Sequence, residues 1–179
     1  MFEAEAATFQ AAGIQVGADT SQAEERLLSE ALSPFNVSTR NNALEMARLY
    51  AVLHCFENEV RALIRDTLQE KLGADWIEHL PRKVKEFGEG RQKTALEDSW
   101  LEGEKSDLLG FVEFGHLAAI MIEKWEHFED LMPSQHWLKQ RMDEVEKVRH
   151  FIAHNRMLLP TEFNRVYMYI ADWNRAVGL

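Results

Sequence analysis

Two side chains near the C-terminal end of the chain have types that could hold an anionic group and move protons at it. They are Arg149 and His154, in the stretch EKVRHFIAHNR at residues 146–156. An unperturbed histidine side chain titrates near pH 6.5, so at neutral pH it can accept or donate a proton. Arginine stays cationic and presents a planar fork of N–H donors that matches phosphate oxygens. The pair therefore has the elements of acid–base chemistry on a phosphate.

The spacing of the two residues limits how they can act together. On an α-helix they are separated by about 140° around the axis and about 7.5 Å along it, so both can border one concave edge but cannot both point into a core. Two plainer interpretations stay open. Arg149 could form a solvated ion pair with Glu146, three residues earlier, and a protonated His154 could favour the macrodipole at a helix C-terminus.

A metal site is another interpretation of the same stretch. Glu146, His150 and His154 recur at four-residue steps and so line one helical face. Two histidines at that spacing can chelate zinc, but HFIAH lacks the glutamate that follows the first histidine in metalloprotease helices. Further ligands would have to come from other helices, with the candidates His54, His116 and His127.

A second charged pair lies on an earlier helical segment. Glu57 and Arg61 stand one turn apart, beside Asn58 and Glu59. This spacing favours an intrahelical ion pair. A role in supporting the later motif is the alternative.

The charge of the chain argues against a general nucleic-acid coat protein, whose surface would be strongly basic. The formal net charge is −10, from 20 basic and 30 acidic residues. Residues 134–165, however, hold six Lys and Arg against four Asp and Glu, a net of +2. The candidate residues thus lie in the least acidic part of the chain.

The single cysteine, Cys55, excludes a disulfide within one chain and favours a reducing compartment. Because it lies among apolar residues, we expect a small buried side chain. The N-terminal MFEAEAATFQ is acidic where a signal peptide carries Lys or Arg, and no apolar run approaches the roughly 18 residues that span a bilayer. We expect a cytoplasmic protein with no membrane partner.

The apolar periodicity predicts an all-α fold. We expect residues 1–38 to form an N-terminal arm or helix, in which Ser21 and Glu24 would make a capping box, and residues 39–179 to form the main domain. The strongest signal is an amphipathic helix over about residues 39–72, ended by Gly73. A short helical piece follows, and then a polar, glycine-containing excursion through residues 86–106 that is expected to be a long, partly helical loop.

Capping residues and prolines delimit the later helices. Ser106 is expected to cap an apolar helix that stops before Pro133, Ser134 caps the next, and Pro160 starts a last helix that ends near Gly178. No stretch keeps a strand alternation, so the predicted architecture is an antiparallel helical bundle of four to five main helices. The aromatic residues expected in its core are Trp125, Trp137 and Trp173.

With these elements in place, the sequence resembles the HEPN superfamily. RHFIAH at residues 149–154 matches the R-x4-H form of the family signature, whose arginine is commonly followed by Asn, His or Asp. The order of elements is also similar: a long early helix, RLYAVLHCFENEVRALIRDTL, an apolar helix, LGFVEFGHLAAIMIEKWEHF, then the motif helix and a short closing helix. The resemblance covers about residues 39–177 and implies an HEPN-like bundle.

The resemblance implies a metal-independent endoribonuclease without a cofactor, acting as a homodimer whose motif helices face each other across a cleft. Arg149 and His154 are the implied catalytic residues, and we expect His150, Asn155 and Arg156 to support them or bind substrate. RNA is the implied substrate. A cognate antitoxin protein is a further expected partner, because many relatives act in toxin–antitoxin or phage-defence systems.

Two other functions stay open beside the ribonuclease. One is a non-catalytic HEPN module that binds RNA, a nucleotide or a protein partner, which the acidic net charge favours because RNA affinity depends on contacts to phosphates. The other is a metal-binding helical-bundle enzyme.

Overall fold

The computed structural model describes residues 27–97 and 105–178. The chain divides into two compact units, Met1–Glu45 and Met46–Leu179, with the boundary inside the first long helix. The described residues contain no strand, so the all-α prediction is confirmed. After a helical segment at residues 27–32, the α-helices of the described ranges are α1 (Val37–Leu72), α2 (Arg82–Glu97), α3 (Phe114–Glu123), α4 (Gln135–Ala153) and α5 (Pro160–Val177). Short 3-10 helices cover Trp76–His79, Leu108–Phe111 and Trp125–His127.

The described part of the first unit holds one helical segment and the start of α1. Residues 27–32 are helical and end just before Pro34. Asn36 then caps α1, because its Oδ1 accepts a hydrogen bond from the Thr39 amide at 2.8 Å. The predicted capping box at Ser21 lies outside the described residues.

Helix α1 follows the predicted periodicity closely. Its buried apolar residues recur at three- and four-residue steps and form one side of the core: Leu49, Leu53, Phe56, Val60, Ile64 and Leu68. Gly73 ends the helix with φ +82°, a conformation that side-chain-bearing residues avoid. The prediction of a helix over about residues 39–72 is confirmed.

Helix α2 shows how much of the predicted long, partly helical loop at residues 86–106 is helical, and residues 98–104 lie outside the described ranges. Residues up to Glu97 are helical in spite of Gly88 and Gly90. The reason is packing at Gly88, where an added Cβ would lie 3.1 Å from side-chain atoms of both Leu108 and Val112. The glycine therefore allows α2 to approach the 108–112 segment closely. Tertiary contact outweighs the low helix propensity of glycine here.

The apolar region before Pro133 was predicted to be one continuous helix that starts at Ser106, and this prediction is wrong. Asp107 rather than Ser106 caps the 3-10 helix, through its contact with the Leu109 amide at 3.0 Å. The backbone then becomes extended at Val112, and α3 starts after Glu113, which forms a reciprocal capping box with His116. The helix is broken because each part has its own cap.

The last two helices begin and end as expected. Ser134 Oγ accepts from the Trp137 amide at 3.1 Å and caps α4, Pro160 occupies the first turn of α5, and Gly178 ends α5 at φ +79°. On α5, Tyr169 is buried and Tyr167 is 44% exposed. Trp173 is buried, while Trp125 and Trp137 are partly buried against the core.

Cys55 is exposed, so its predicted burial is wrong. Its neighbours Leu53 and Phe56 face the core, and the helical rotation turns the thiol away from it. Within residues 27–97 and 105–178, none of the helices combines the length and apolarity that a bilayer crossing requires.

Candidate functional site

A buried carboxylate on α1 joins the motif helix to the rest of the domain. Glu57 is only 7% exposed, and among the described residues it is the charged side chain that is buried. Its Oε2 accepts from Nε of Arg149 at 2.7 Å, and its Oε1 pairs with Nη2 of Arg61. The carboxylate therefore bridges two guanidinium groups, which offsets the cost of burying its charge.

Arg61 is held by further contacts that extend this network. Its Nε donates to the Leu109 carbonyl at 2.9 Å and its Nη1 to Asn58 Oδ1 at 3.2 Å. The Asn58 amide in turn donates to the His54 carbonyl at 2.8 Å and lies 3.2 Å from the His54 ring nitrogen Nε2. Because each Arg61 nitrogen has a partner, this side chain is fixed between α1 and the 3-10 helix at residue 109.

An open cleft of about 220 Å³ lies beside these ion pairs, and we call it the arginine cleft. Three guanidinium groups from α1, α2 and α4 meet there. The lining residues are Arg61, Arg91, Gly110, Phe111, Val112, Glu113, Arg149 and His150. In an acidic protein, this grouping of cations makes a local site for an anion.

Arg91 completes the cleft from α2. It is paired loosely with Glu113 at 3.2 Å, and both side chains are about half exposed. Its guanidinium carbon lies 4.9 Å from the centre of the Phe87 ring, a cation–π contact that orients the group. Arg91 is thus a cation that lines the cleft from α2, and the Phe87 ring holds its guanidinium group in place.

The turn of α4 that carries the motif is attached to the start of α3. Glu146 Oε1 accepts a hydrogen bond from the Gly115 amide at 3.1 Å. An added Cβ on Gly115 would lie 2.7 Å from that same oxygen, so the glycine makes the approach possible. Glu146 is therefore engaged with α3, and within the described residues no ion pair joins it to Arg149.

The other motif residues lie at the C-terminal end of α4. His154 is the exposed C-cap residue, and Asn155 has a left-handed conformation with φ 54°. The Asn155 amide donates to the Ile152 carbonyl at 2.8 Å and the Arg156 amide to the Phe151 carbonyl at 3.3 Å. These two bonds form a Schellman motif, in which the left-handed Asn155 ends helix α4.

The structure thus separates the five predicted site residues into two groups. Arg149 and His150 line the arginine cleft. His154, Asn155 and Arg156 are exposed at the following turn and are not among the residues that line it. Arg156 instead places its guanidinium carbon 5.6 Å from the centre of the Phe151 ring.

A metal centre at this stretch finds no support in the side-chain geometry. Within the described ranges, no three His, Cys, Asp or Glu side chains are grouped so that they could hold an ion. Glu146, the proposed third ligand, points to the α3 amide.

Sequence reasoning anticipated part of this site. The predicted ion pair of Glu57 and Arg61 is present, and Glu57 also contacts Arg149. A supporting role of this pair at the motif stays a prediction. Arg91 was missed, because it lies in the stretch that was expected to be a long, partly helical loop. No local pattern signalled that it would face the motif helix.

A comparison with protein-family models matches residues 51–178, well over half of the chain, to the Swt1-like HEPN family. The chain belongs to this family of helical domains, which confirms the HEPN resemblance. HEPN domains are ribonuclease-type or nucleotide-binding modules, and that is the class of function the family indicates. Comparisons with curated proteins and with solved structures returned no match.

Proposed function

We propose that this domain is a metal-independent endoribonuclease in which Arg149 binds the scissile phosphate and His154 transfers protons. The ribose 2′-hydroxyl loses its proton to one imidazole and its oxygen forms a bond to the adjacent phosphorus. The bond from phosphorus to the 5′-oxygen breaks, and a second, protonated imidazole gives its proton to that oxygen. The products are a 2′,3′-cyclic phosphate and a 5′-hydroxyl.

The observation that carries the proposal is the way in which Arg149 is held. Glu57 accepts from Nε alone, at 2.7 Å, and the guanidinium borders an open, arginine-lined cleft. The terminal nitrogens Nη1 and Nη2 form no hydrogen bond with any described residue. They are therefore available as a fork for two phosphate oxygens, and the fixed charge stabilises the negative charge that builds up there.

The exposed position of His154 is consistent with a site completed by a second chain. One His154 per chain gives only one of the two proton-transfer groups, so we propose a homodimer through the motif helix, in which the second copy provides the other. In this arrangement His150 contacts the phosphate from the cleft, Arg156 adds charge, and Asn155 ends the helix so that His154 is presented. We further propose that the protein acts in the cytoplasm in a toxin–antitoxin or phage-defence role, with a cognate antitoxin protein as partner.

A second candidate function is a non-catalytic HEPN module that binds RNA or a nucleotide. Two observations favour it: the net charge of −10 and the position of His154 outside the residues that line the arginine cleft. In that case the cleft would bind an anion without taking part in its cleavage.

The experiment compares four variants on a mixed RNA substrate in the presence of EDTA. His154→Ala is expected to lower cleavage by about 10²–10⁴-fold, the usual worth of a proton-transfer group. Arg149→Ala is expected to lower it by about 10²–10³-fold, the usual cost of removing one donor that stabilises the charge developing in the transition state. Arg175→Ala and His136→Ala are matched controls, because both residues are exposed and lie outside the cleft. RNA binding without cleavage by the wild type would support the second candidate. Cleavage that EDTA abolishes would contradict the proposal.

A further inference from the structure

We propose that the arginine cleft is a second phosphate-binding subsite, in which Arg91 holds a backbone phosphate next to the one that is cleaved. The inference rests on the proposed function for the identity of the strand as RNA. The proposed subsite adds a second phosphate as a ligand, and it adds Arg91, a residue that the R-x4-H signature does not include.

The arginine nitrogens that have no hydrogen-bond partner among the described residues indicate which side chains would bind the phosphate. All three nitrogens of Arg61 already have protein partners, so this residue contributes charge and shapes the wall. Within the described chain, Arg91 donates a hydrogen bond from Nη2 to Glu113 at 3.2 Å and none from its other nitrogens, and this contact is exposed. Arg91 therefore keeps donors that can reach an anion, as Arg149 does with its terminal nitrogens.

The charge of the cleft is positive even after its ion pairs are counted. Glu57 and Glu113 are set against three arginines, so one guanidinium charge is left over without any contribution from His150. The scissile phosphodiester at Arg149 would balance this charge. The neighbouring phosphate would bind through the Arg91 donors that Glu113 does not take and would compete with that exposed contact.

The size of the cleft determines what kind of ligand fits. Its volume of about 220 Å³ is below the range of about 300–1,000 Å³ for clefts that enclose a drug-sized ligand. A phosphate with part of its ribose fits such a space better than a complete nucleotide does. Because the cleft is open, a strand can continue out of it, which favours an internal phosphate over an enclosed mononucleotide.

A terminal phosphate could make the same contacts with the cleft as an internal backbone phosphate, so the test includes both kinds of phosphate. Binding is measured with a single-stranded RNA that has a 5′-hydroxyl and with the same RNA that has a 5′-phosphate. All proteins carry His154→Ala, so that cleavage does not remove the ligand. Arg91→Ala is compared with Arg82→Ala, since both arginines lie on α2, are exposed, and pair with a glutamate.

The expected result is a loss of about tenfold in affinity for Arg91→Ala with both RNAs, as suits a charge-assisted contact. The slope of log affinity against log salt should also become shallower by about 0.7, the value for one phosphate contact on a single strand. Arg82→Ala should leave affinity and slope unchanged. Glu113→Gln should increase affinity, because it frees Arg91 and removes a negative charge from the cleft.

Two outcomes would overturn the inference. One is equal binding by the Arg91→Ala and Arg82→Ala proteins. The other is an effect of Arg91→Ala with the 5′-phosphorylated RNA alone, which would assign the cleft to a terminal phosphate. Neither outcome decides whether wild-type protein cleaves RNA, and an Arg91 effect in a protein that does not cleave would keep the subsite while the ribonuclease proposal fails.

Discussion

Arg149 on the motif helix donates its Nε to the buried Glu57 carboxylate on α1 at 2.7 Å, although 92 residues separate them in sequence. Arg61 pairs with the other carboxylate oxygen. This arrangement fixes one edge of the Arg149 guanidinium and leaves the opposite edge at the arginine cleft. Glu57 is thus a positioning residue in our account: it acts on the substrate through Arg149.

The first prediction concerns this positioning. Glu57→Gln should lower RNA cleavage by about 10–100-fold, because a misplaced guanidinium no longer meets the phosphate. It should also cost roughly 1–3 kcal/mol of stability, since Arg61 loses its carboxylate partner. Glu59→Gln, at an exposed position on the same helix, should change neither quantity. Steady-state cleavage rates and chemical unfolding measure the two effects.

A double variant separates positioning from a general effect on the fold. If Glu57 acts through Arg149, Glu57→Gln should have little further effect on cleavage in the Arg149→Ala protein, while its loss of stability stays. A full additional loss of cleavage in that protein would show that Glu57 acts by another route.

The second prediction concerns Asn155, which has φ 54° in the Schellman motif. Asn155→Gly should keep cleavage and stability near wild type, because glycine adopts this conformation freely. Asn155→Ala should lose about 1 kcal/mol, since alanine is strained there. If Asn155→Gly instead abolished cleavage while the protein stayed folded, the amide side chain would have a direct role at the substrate.

The third prediction uses two glycines on α2. Gly90 has no atom within 4 Å of an added Cβ, so Gly90→Ala should stabilise the protein by about 0.5–1 kcal/mol through helix propensity. At Gly88 the added Cβ would lie 3.1 Å from Leu108 and Val112, and overpacking of this kind typically costs about 1–3 kcal/mol. Gly88→Ala should therefore destabilise the protein. Thermal unfolding of both variants checks this, and equal stabilisation by both would contradict the close packing of α2.

The sequence was most informative where a local pattern determines the structure. The bounds of α1 follow from a long apolar periodicity and from Gly73, and the starts of α4 and α5 follow from Ser134 and Pro160. These signals act within a turn or two of the helix that they define. The apolar pattern did not decide between the two faces of α1, so Cys55 was expected to be buried and is exposed.

The parts that the sequence did not predict depend on contacts between distant residues. Gly88 and Gly90 gave α2 the appearance of a loop, and only the contact of Gly88 with Leu108 explains why the helix continues. The R-x4-H signature indicated Arg149 and His154, but not that Arg149 would lie with His150 and Arg91 at a cleft while His154 lies one turn beyond. Such placements are set by packing and not by spacing along one helix.

The most direct test of the ribonuclease proposal is an analysis of RNA ends after cleavage in the presence of EDTA. The proposed reaction predicts a 2′,3′-cyclic phosphate and a 5′-hydroxyl, and it predicts that a single 2′-deoxy substitution at the cleaved position blocks the reaction there. Cleavage that continues at the 2′-deoxy position, or that leaves a 5′-phosphate, would contradict attack by the 2′-hydroxyl and with it the roles assigned to Arg149 and His154.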